Sequence, residues 1–291
     1  MLELTVETID QVIDVATRPG ATEIDLRDVG FIDPYALLLL VLTLRQRRDR
    51  VAPLAVRWPG HPSVLRWLKA MGLTGEIGGS AADRPPDSHV PGAALQPITP
   101  IACEARVSDL AAAFDRRLSE RYPLTATSRN VLTKIMLELF QNIPQHGDAT
   151  GGIGDVHGIA AMQDYRDAIF LAVADCGVGL RASLSTRSDL AVPSDRCALD
   201  AIVFEGLSRF VDPGRGGELR RIARLVRNWD GLLALRSGSA VLIMNAERGE
   251  IHDAPPFPGV QIALRLPRRV FGIDEAPVDN PSFSEFNELH G

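Results

Sequence analysis

Residues 168–180 read AIFLAVADCGVGL. An unbroken apolar run, Ala168 to Ala174, leads into an acid, Asp175, and then into two spaced glycines, Gly177 and Gly179. A short apolar run closed by turn residues is the pattern of a strand buried on both faces. Such a strand delivers Asp175 at its carboxyl end, next to a backbone that a ligand can approach closely. Two readings fit these residues. In one, the acid caps a turn and the glycines supply positive φ. In the other, the carboxylate accepts a hydrogen bond from an exocyclic amine such as that of adenine.

Upstream, residues 138–146 read ELFQNIPQH, on a helix expected over Ser128–Gln141. Glu138 and Asn142 are four residues apart and share one helical face. A carboxylate and a carboxamide stacked this way form a solvated polar stripe, or else polarise a water and hold a divalent cation beside a phosphate. Pro144 leaves the Phe140 carbonyl without its helical donor, so the helix is expected to kink or end there. Downstream, residues 214–219 read GRGGEL, just ahead of a helix expected over Leu219–Asn228. Glycines at a helix start make a flexible turn, or expose backbone N–H groups that bind phosphate.

The rest of the chain falls into place around these motifs. A further helix is expected at Ser108–Arg121 and strand-like runs at 154–161, 168–174 and 259–267, with a loop-rich stretch up to Gly214. Helices first and mostly adjacent strands later predict a domain over 99–270 with helices on one face of a mixed sheet. Residues 75–98 are crowded with Gly, Pro, Ala and Ser and read as a linker. Residues 271–291 form an acidic, Pro-interrupted tail. Residues 1–74 alternate helices at 8–16, 34–48 and 63–71 with strands at 22–26 and 54–58, the pattern of a small α/β domain. At about 150 residues per domain, the 291 residues agree with two domains.

Composition narrows the chemistry. Apolar residues are 45% and charged residues 23%, as in an ordinary globular protein, so the chain is not mainly disordered. The net charge of −6 argues against a broad nucleic-acid footprint. Lys69 and Lys134 are the only lysines, and neither follows a glycine, which excludes a GxxxxGK[ST] phosphate loop. Cys103, Cys176 and Cys197 lack CxxC spacing, so neither a disulfide framework nor a zinc site is expected. The apolar run Tyr35 to Leu44 is half the ~20 residues a membrane span needs, and MLELTVETID is no signal peptide. A cytoplasmic protein without membrane contact is expected.

In order and spacing the motifs of the second domain resemble the GHKL ATPase superfamily, which holds gyrase, the large heat-shock chaperones, histidine kinases and mismatch-repair proteins. ELFQNIPQH resembles its N-box, DCGVGL its G1 box, and GRGGEL with the following RRIARLVRNWDGLLALRSGS its G2 region. GVQIALRLP, residues 259–267, is similar to the strand that ends these domains. The resemblance implies a Bergerat-type α/β sandwich that takes ATP and Mg²⁺. By this resemblance Asn142 coordinates Mg²⁺, and Glu138 is the catalytic group that activates water or an acceptor hydroxyl. Asp175 reads adenine, Gly177 and Gly179 shape the adenine pocket, and Gly214 and Gly216 border the phosphates. Residues 181–213 form a lid, with Arg209 and Arg215 as candidate phosphate contacts. Two positions depart from the family. Glu218 stands where the G2 box has a further glycine, and a carboxylate near a triphosphate costs binding energy unless it points away or shares the metal. Val260 stands where a threonine often follows the glycine, which removes a hydroxyl contact.

Residues 23–36, EIDLRDVGFIDPYA, with the apolar helix behind them and VLRWLKAMGL at 64–73, resemble STAS domains, the module of anti-sigma-factor antagonists. In such antagonists a serine after the acid is phosphorylated. Here Pro34 has that place, which suits a helix start but offers no hydroxyl, and Tyr35 is assigned to packing. The module is therefore expected to serve docking or intramolecular regulation. Together the resemblances imply an ATP-binding regulatory protein related to the anti-sigma serine kinases. Its partner would be a protein such as a sigma factor or an antagonist-like regulator, and a homodimer is open to it. Two alternatives stand beside this: an ATPase whose nucleotide state drives lid closure or dimerisation, and a non-catalytic docking module. A sensor histidine kinase fits poorly, because the 108–121 helix has no histidine and only His89, in the linker, precedes the domain closely.

Overall fold

The capping chemistry of Asp33 organises the first segment. In the computed structural model, which describes residues 2–73, 94–101, 103–147, 158–210 and 217–271, this segment folds as β1 (Leu2–Leu4), α1 (Ile9–Thr17), β2 (Glu23–Asp25), β3 (Val29–Ile32), α2 (Pro34–Arg50), β4 (Ala55–Arg57) and α3 (Pro62–Ala70). β1 pairs with β3 and β2 with β4, both parallel. Asp33 precedes α2, and its Oδ1 accepts from Ala36 N at 2.7 Å while its Oδ2 accepts from Val6 N at 2.9 Å. One carboxylate thus satisfies a free helix-end donor and fixes the chain after β1. At the other end Arg47, Arg48 and Arg50 face the negative end of the helix dipole.

The second segment begins with β5 (Ala94–Ile101), whose first residues come from the stretch that composition reads as linker. Then follow α4 (Val107–Arg121), α5 (Ala126–Gly147), β6 (Gly158–Asp164), β7 (Ala168–Asp175), α6 (Gly179–Leu184), α7 (Asp195–Asp200), α8 (Glu218–Asn228), β8 (Leu232–Met244) and β9 (Gly249–Pro267). The strands form one sheet in the order β5-β6-β7-β9-β8. Every neighbouring pair is antiparallel, which corrects the expectation of a mixed sheet. The connections are the reason. Three residues, Tyr165 to Asp167, join β6 to β7, and a four-residue turn, Asn245 to Arg248, joins β8 to β9; links this short only reverse the chain. The long helical excursion from β7 leads to β8, and β9 then returns into the gap between them.

α5 also differs from expectation, since it runs past Pro144 to Gly147. Pro144 is three residues from the helix end, so the hydrogen bond it forfeits belongs to the last turn. The segment read as a loop-rich lid is half helical over 181–210, with α7 followed by a π-helical turn at Ala201–Glu205. Ala198, Leu199, Ile202 and Val203 of this region are buried in the domain core.

Both faces of the sheet are covered. On one face α4 and α5 pack through Phe114 and Phe140, with ring centroids 5.2 Å apart, and α8 adds Ile222, Ala223 and Val226. On the other face lies α2 of the first segment, against β6, β7 and β9. Leu37, Leu38, Leu39, Leu40 and Val41 are all fully buried. A helix that is apolar all round must be enclosed all round, and α2 meets this by lying between the first segment's own layer and the large sheet. Trp67 Nε1 donates to Gln163 Oε1 at 3.0 Å across the same junction. Among the described residues no helix is long and apolar enough to cross a membrane.

Candidate functional site

Asp175 ends β7 with its side chain almost fully buried, at 2% exposure. Its Oδ1 accepts from Gly177 N at 2.6 Å. Burial pushes its carboxyl up to about 7, against the pull of the backbone N–H groups of Gly177 and Val260. Gly259 forms the other wall. It has φ +81°, and a Cβ there would meet both the Asp175 carbonyl oxygen and Asp175 Oδ1 at 2.4 Å. Only glycine allows β9 to pass this close. Gly179 has a similar constraint, with φ +78° and a Cβ position 2.9 Å from Ser237 Oγ. Ser237 Oγ in turn accepts from Leu180 N at 2.8 Å and donates to Gly259 O at 3.2 Å. The turn after β7 and the middles of β9 and β8 are locked together around one carboxylate.

Asn142, from α5, and Asp175 line a single cavity with Leu139, Ile143, Leu180, Leu219 and Val260. Its volume is about 30 Å³, the room of a water molecule rather than of a ring system. The Nδ2 atom of Asn142 is buried and has no hydrogen-bond partner. Turning the amide over would present Oδ1 at the same place, the hard oxygen that a Mg²⁺ ion takes. Among the described residues no group of three or more His, Cys, Asp or Glu could hold a metal.

Glu138 lies one turn before Asn142 on α5 and is tied to Arg221 of α8, with Nη2 and Oε1 2.6 Å apart. Burial pushes the Glu138 carboxyl up, Arg221 pulls it down and Glu218 pushes it up again. The structure thus brings Glu138, Asn142, Asp175, Gly177 and Gly179 to one end of the sheet. Gly214, Gly216 and Arg215 lie outside the described residues; Gly217, directly after them, has φ +80° and precedes α8. Arg209 places its guanidinium over the Phe210 ring at 4.7 Å.

Alternation along the strands connects this site to the first segment. Cys176, next to Asp175, is buried on the opposite face, where Gln46 Nε2 of α2 lies 3.0 Å from its Sγ; burial pushes the thiol up to about 12. Arg236, next to Ser237, is fully buried and reaches Asp10 of α1 and the Tyr35 hydroxyl. Between them Gln261 of β9 pairs in register with both Ala174 and Arg236 and donates to the Asp175 carbonyl at 2.8 Å.

No family model, curated protein or solved structure matches this chain. Three residues that complete the site were not picked out from the sequence. Gly259 lies in the middle of β9 but at the start of the strand expected over 259–267, where a glycine carries no signal of its own. Ser237 falls within an apolar strand. Arg221 is one of six arginines between 215 and 236, and nothing in its spacing singles it out.

Proposed function

We propose that this chain is an ATP-binding regulatory protein of the histidine-kinase-like ATPase class, with the STAS-like first segment as a built-in docking module. The observation that carries this reading is Asp175: a buried carboxylate, walled by glycine, in the same cavity as Asn142, whose Nδ2 is buried without a hydrogen-bond partner. Asp175 accepts the exocyclic amine of adenine. Asn142 offers oxygen to Mg²⁺, which when bound neutralises the phosphates and orients the terminal one. Glu138 is the base for a water or an acceptor hydroxyl. A purine needs more room than the cavity has, and Leu180 and Leu219, at the starts of α6 and α8, bound it on the lid side. Outward movement of these two helix ends is part of binding on this reading. It also makes nucleotide occupancy a conformational signal.

The Glu138–Arg221 pair favours a gated switch over continuous turnover: burial holds the Glu138 carboxyl above its ordinary range, but the guanidinium occupies the oxygen that a water or hydroxyl would have to reach. On this view transfer to a serine of a protein partner, such as a sigma factor or an antagonist-like regulator, awaits that partner. Calorimetric titration with ATP·Mg²⁺ and GTP·Mg²⁺ tests the reading. ATP should bind and GTP should not, because guanine places a carbonyl where adenine has the amine. Equal binding of both, or of neither, contradicts it. Phosphate release without a partner, lost in Glu138→Ala, would move the assignment from switch to ATPase.

A further inference from the structure

The ion pair between Glu138 and Arg221 joins two helices across 83 positions of sequence. It is not a core contact: the side chains are 28% and 61% exposed. A pair with that much solvent contributes little to stability, so it is easily exchanged. Its location gives the exchange a meaning. Arg221 lies in the first turn of α8, whose leading N–H groups favour an anion. Glu138 lies one turn from Asn142, which lines the cavity with Asp175. Leu139, beside Glu138, and Leu219, in the first turn of α8, line that same cavity, so a nucleotide with its base on Asp175 and its metal at Asn142 would have these two helix turns as neighbours of its phosphates.

Two carboxylates, Glu138 and Glu218, already act on each other there, and both repel a phosphate. A compensating cation is required. Two other arginines of α8 are turned elsewhere: Arg220 donates to the Glu205 carbonyl at 3.1 Å, and Arg227 to the Ala246 carbonyl at 3.3 Å. Arg221 alone of these three already reaches α5.

On the nucleotide-binding reading above, we propose that Arg221 distinguishes triphosphate from diphosphate by exchanging Glu138 for the terminal phosphate. The terminal phosphate carries more charge than one carboxylate and can take the guanidinium through two oxygens, where Glu138 uses one, which favours the exchange. The same movement frees Glu138, so recognition of the terminal phosphate and release of the base are one event. Arg221 is a positioning residue for Glu138 and a specificity residue for the ligand.

The test is equilibrium titration of the full chain with ATP·Mg²⁺ and with ADP·Mg²⁺, for wild type, Arg221→Ala and Glu138→Gln. Losing a charge-assisted contact to the terminal phosphate should weaken ATP by ~10-fold or more, with ADP changed less than about threefold. Glu138→Gln, which no longer competes for the guanidinium, should tighten ATP relative to ADP. An unchanged ATP-to-ADP ratio in Arg221→Ala, or equal loss of both nucleotides, overturns the proposal while leaving the nucleotide reading intact. Wild type that binds neither nucleotide overturns the nucleotide reading itself.

Discussion

Gly259 and Asp175 are in such close contact that a single added methyl group could not be placed between them. The Cβ of any other residue at 259 would stand 2.4 Å from the Asp175 carboxylate, at a φ of +81°. Gly259→Ala should therefore combine left-handed backbone strain of ~1–2 kcal/mol with displacement of the carboxylate. Gly20 is the matched control, with φ +83° and open space around its Cβ position. Urea unfolding should show Gly259→Ala costing clearly more than Gly20→Ala, and only the former should weaken nucleotide binding.

Asp33 uses both carboxylate oxygens as acceptors, one for Ala36 N and one for Val6 N. An asparagine has one acceptor oxygen, so Asp33→Asn turns an amide N–H₂ towards a backbone N–H. A cost of ~1–3 kcal/mol follows from the unsatisfied buried donor, measurable as a lower urea midpoint. No loss of stability would show that Asp33 does not hold the start of α2.

Arg236 is fully buried, whereas the side chain of its partner Asp10 is 28% exposed. Breaking such a pair is costliest when the charge left behind is the buried one. Asp10→Ala strands the guanidinium and should cost ~3 kcal/mol. Arg236→Met fills the same space without charge, leaves Asp10 to water and should cost less. The reverse order in denaturant melts would remove this ion pair as the tie between the two segments.

What was legible in the sequence was local. The apolar run before Asp175 places β7 to within a residue, and the start of α8 likewise, because each signal acts over one or two turns of chain; β9 begins ten residues before the expected strand, and α5 runs six residues past its expected end. The unbroken apolar run Leu37–Leu42 announced a buried helix but not what buries it. The answer, a sheet from the second segment, depends on pairings such as Trp67 with Gln163, 96 residues apart. Strand direction was misread for a related reason: element order alone does not say that β9 fills the gap between β7 and β8. Glu138 and Asn142 were readable as one helix face, whereas Arg221 comes to Glu138 only through packing of α8.

Acidity should act on both buried acids. Burial pushes Asp33 and Asp175 each up to about 7 from the ordinary 3.8. Each therefore adds stability that is complete below about 3.8 and lost as pH rises through about 7. The wild-type urea midpoint should contain a component that declines between about pH 4 and pH 7 and levels off above, smaller in Asp175→Asn. Nucleotide affinity should move the other way, rising through about pH 7 as Asp175 ionises and becomes the better acceptor for an amine. Affinity that is flat or falling over this range would separate Asp175 from base recognition.

The most direct measurement is calorimetric titration of wild type and Asp175→Asn with ATP·Mg²⁺. The substitution keeps the size of the side chain but removes the charge that accepts the adenine amine, while Gly177 N still claims one oxygen. Loss of a hydrogen bond to a charged group is worth ~1.5–3 kcal/mol, so affinity should fall by about 10- to 100-fold. Asp175→Asn that binds ATP as tightly as wild type would contradict the assignment of this carboxylate as the reader of adenine.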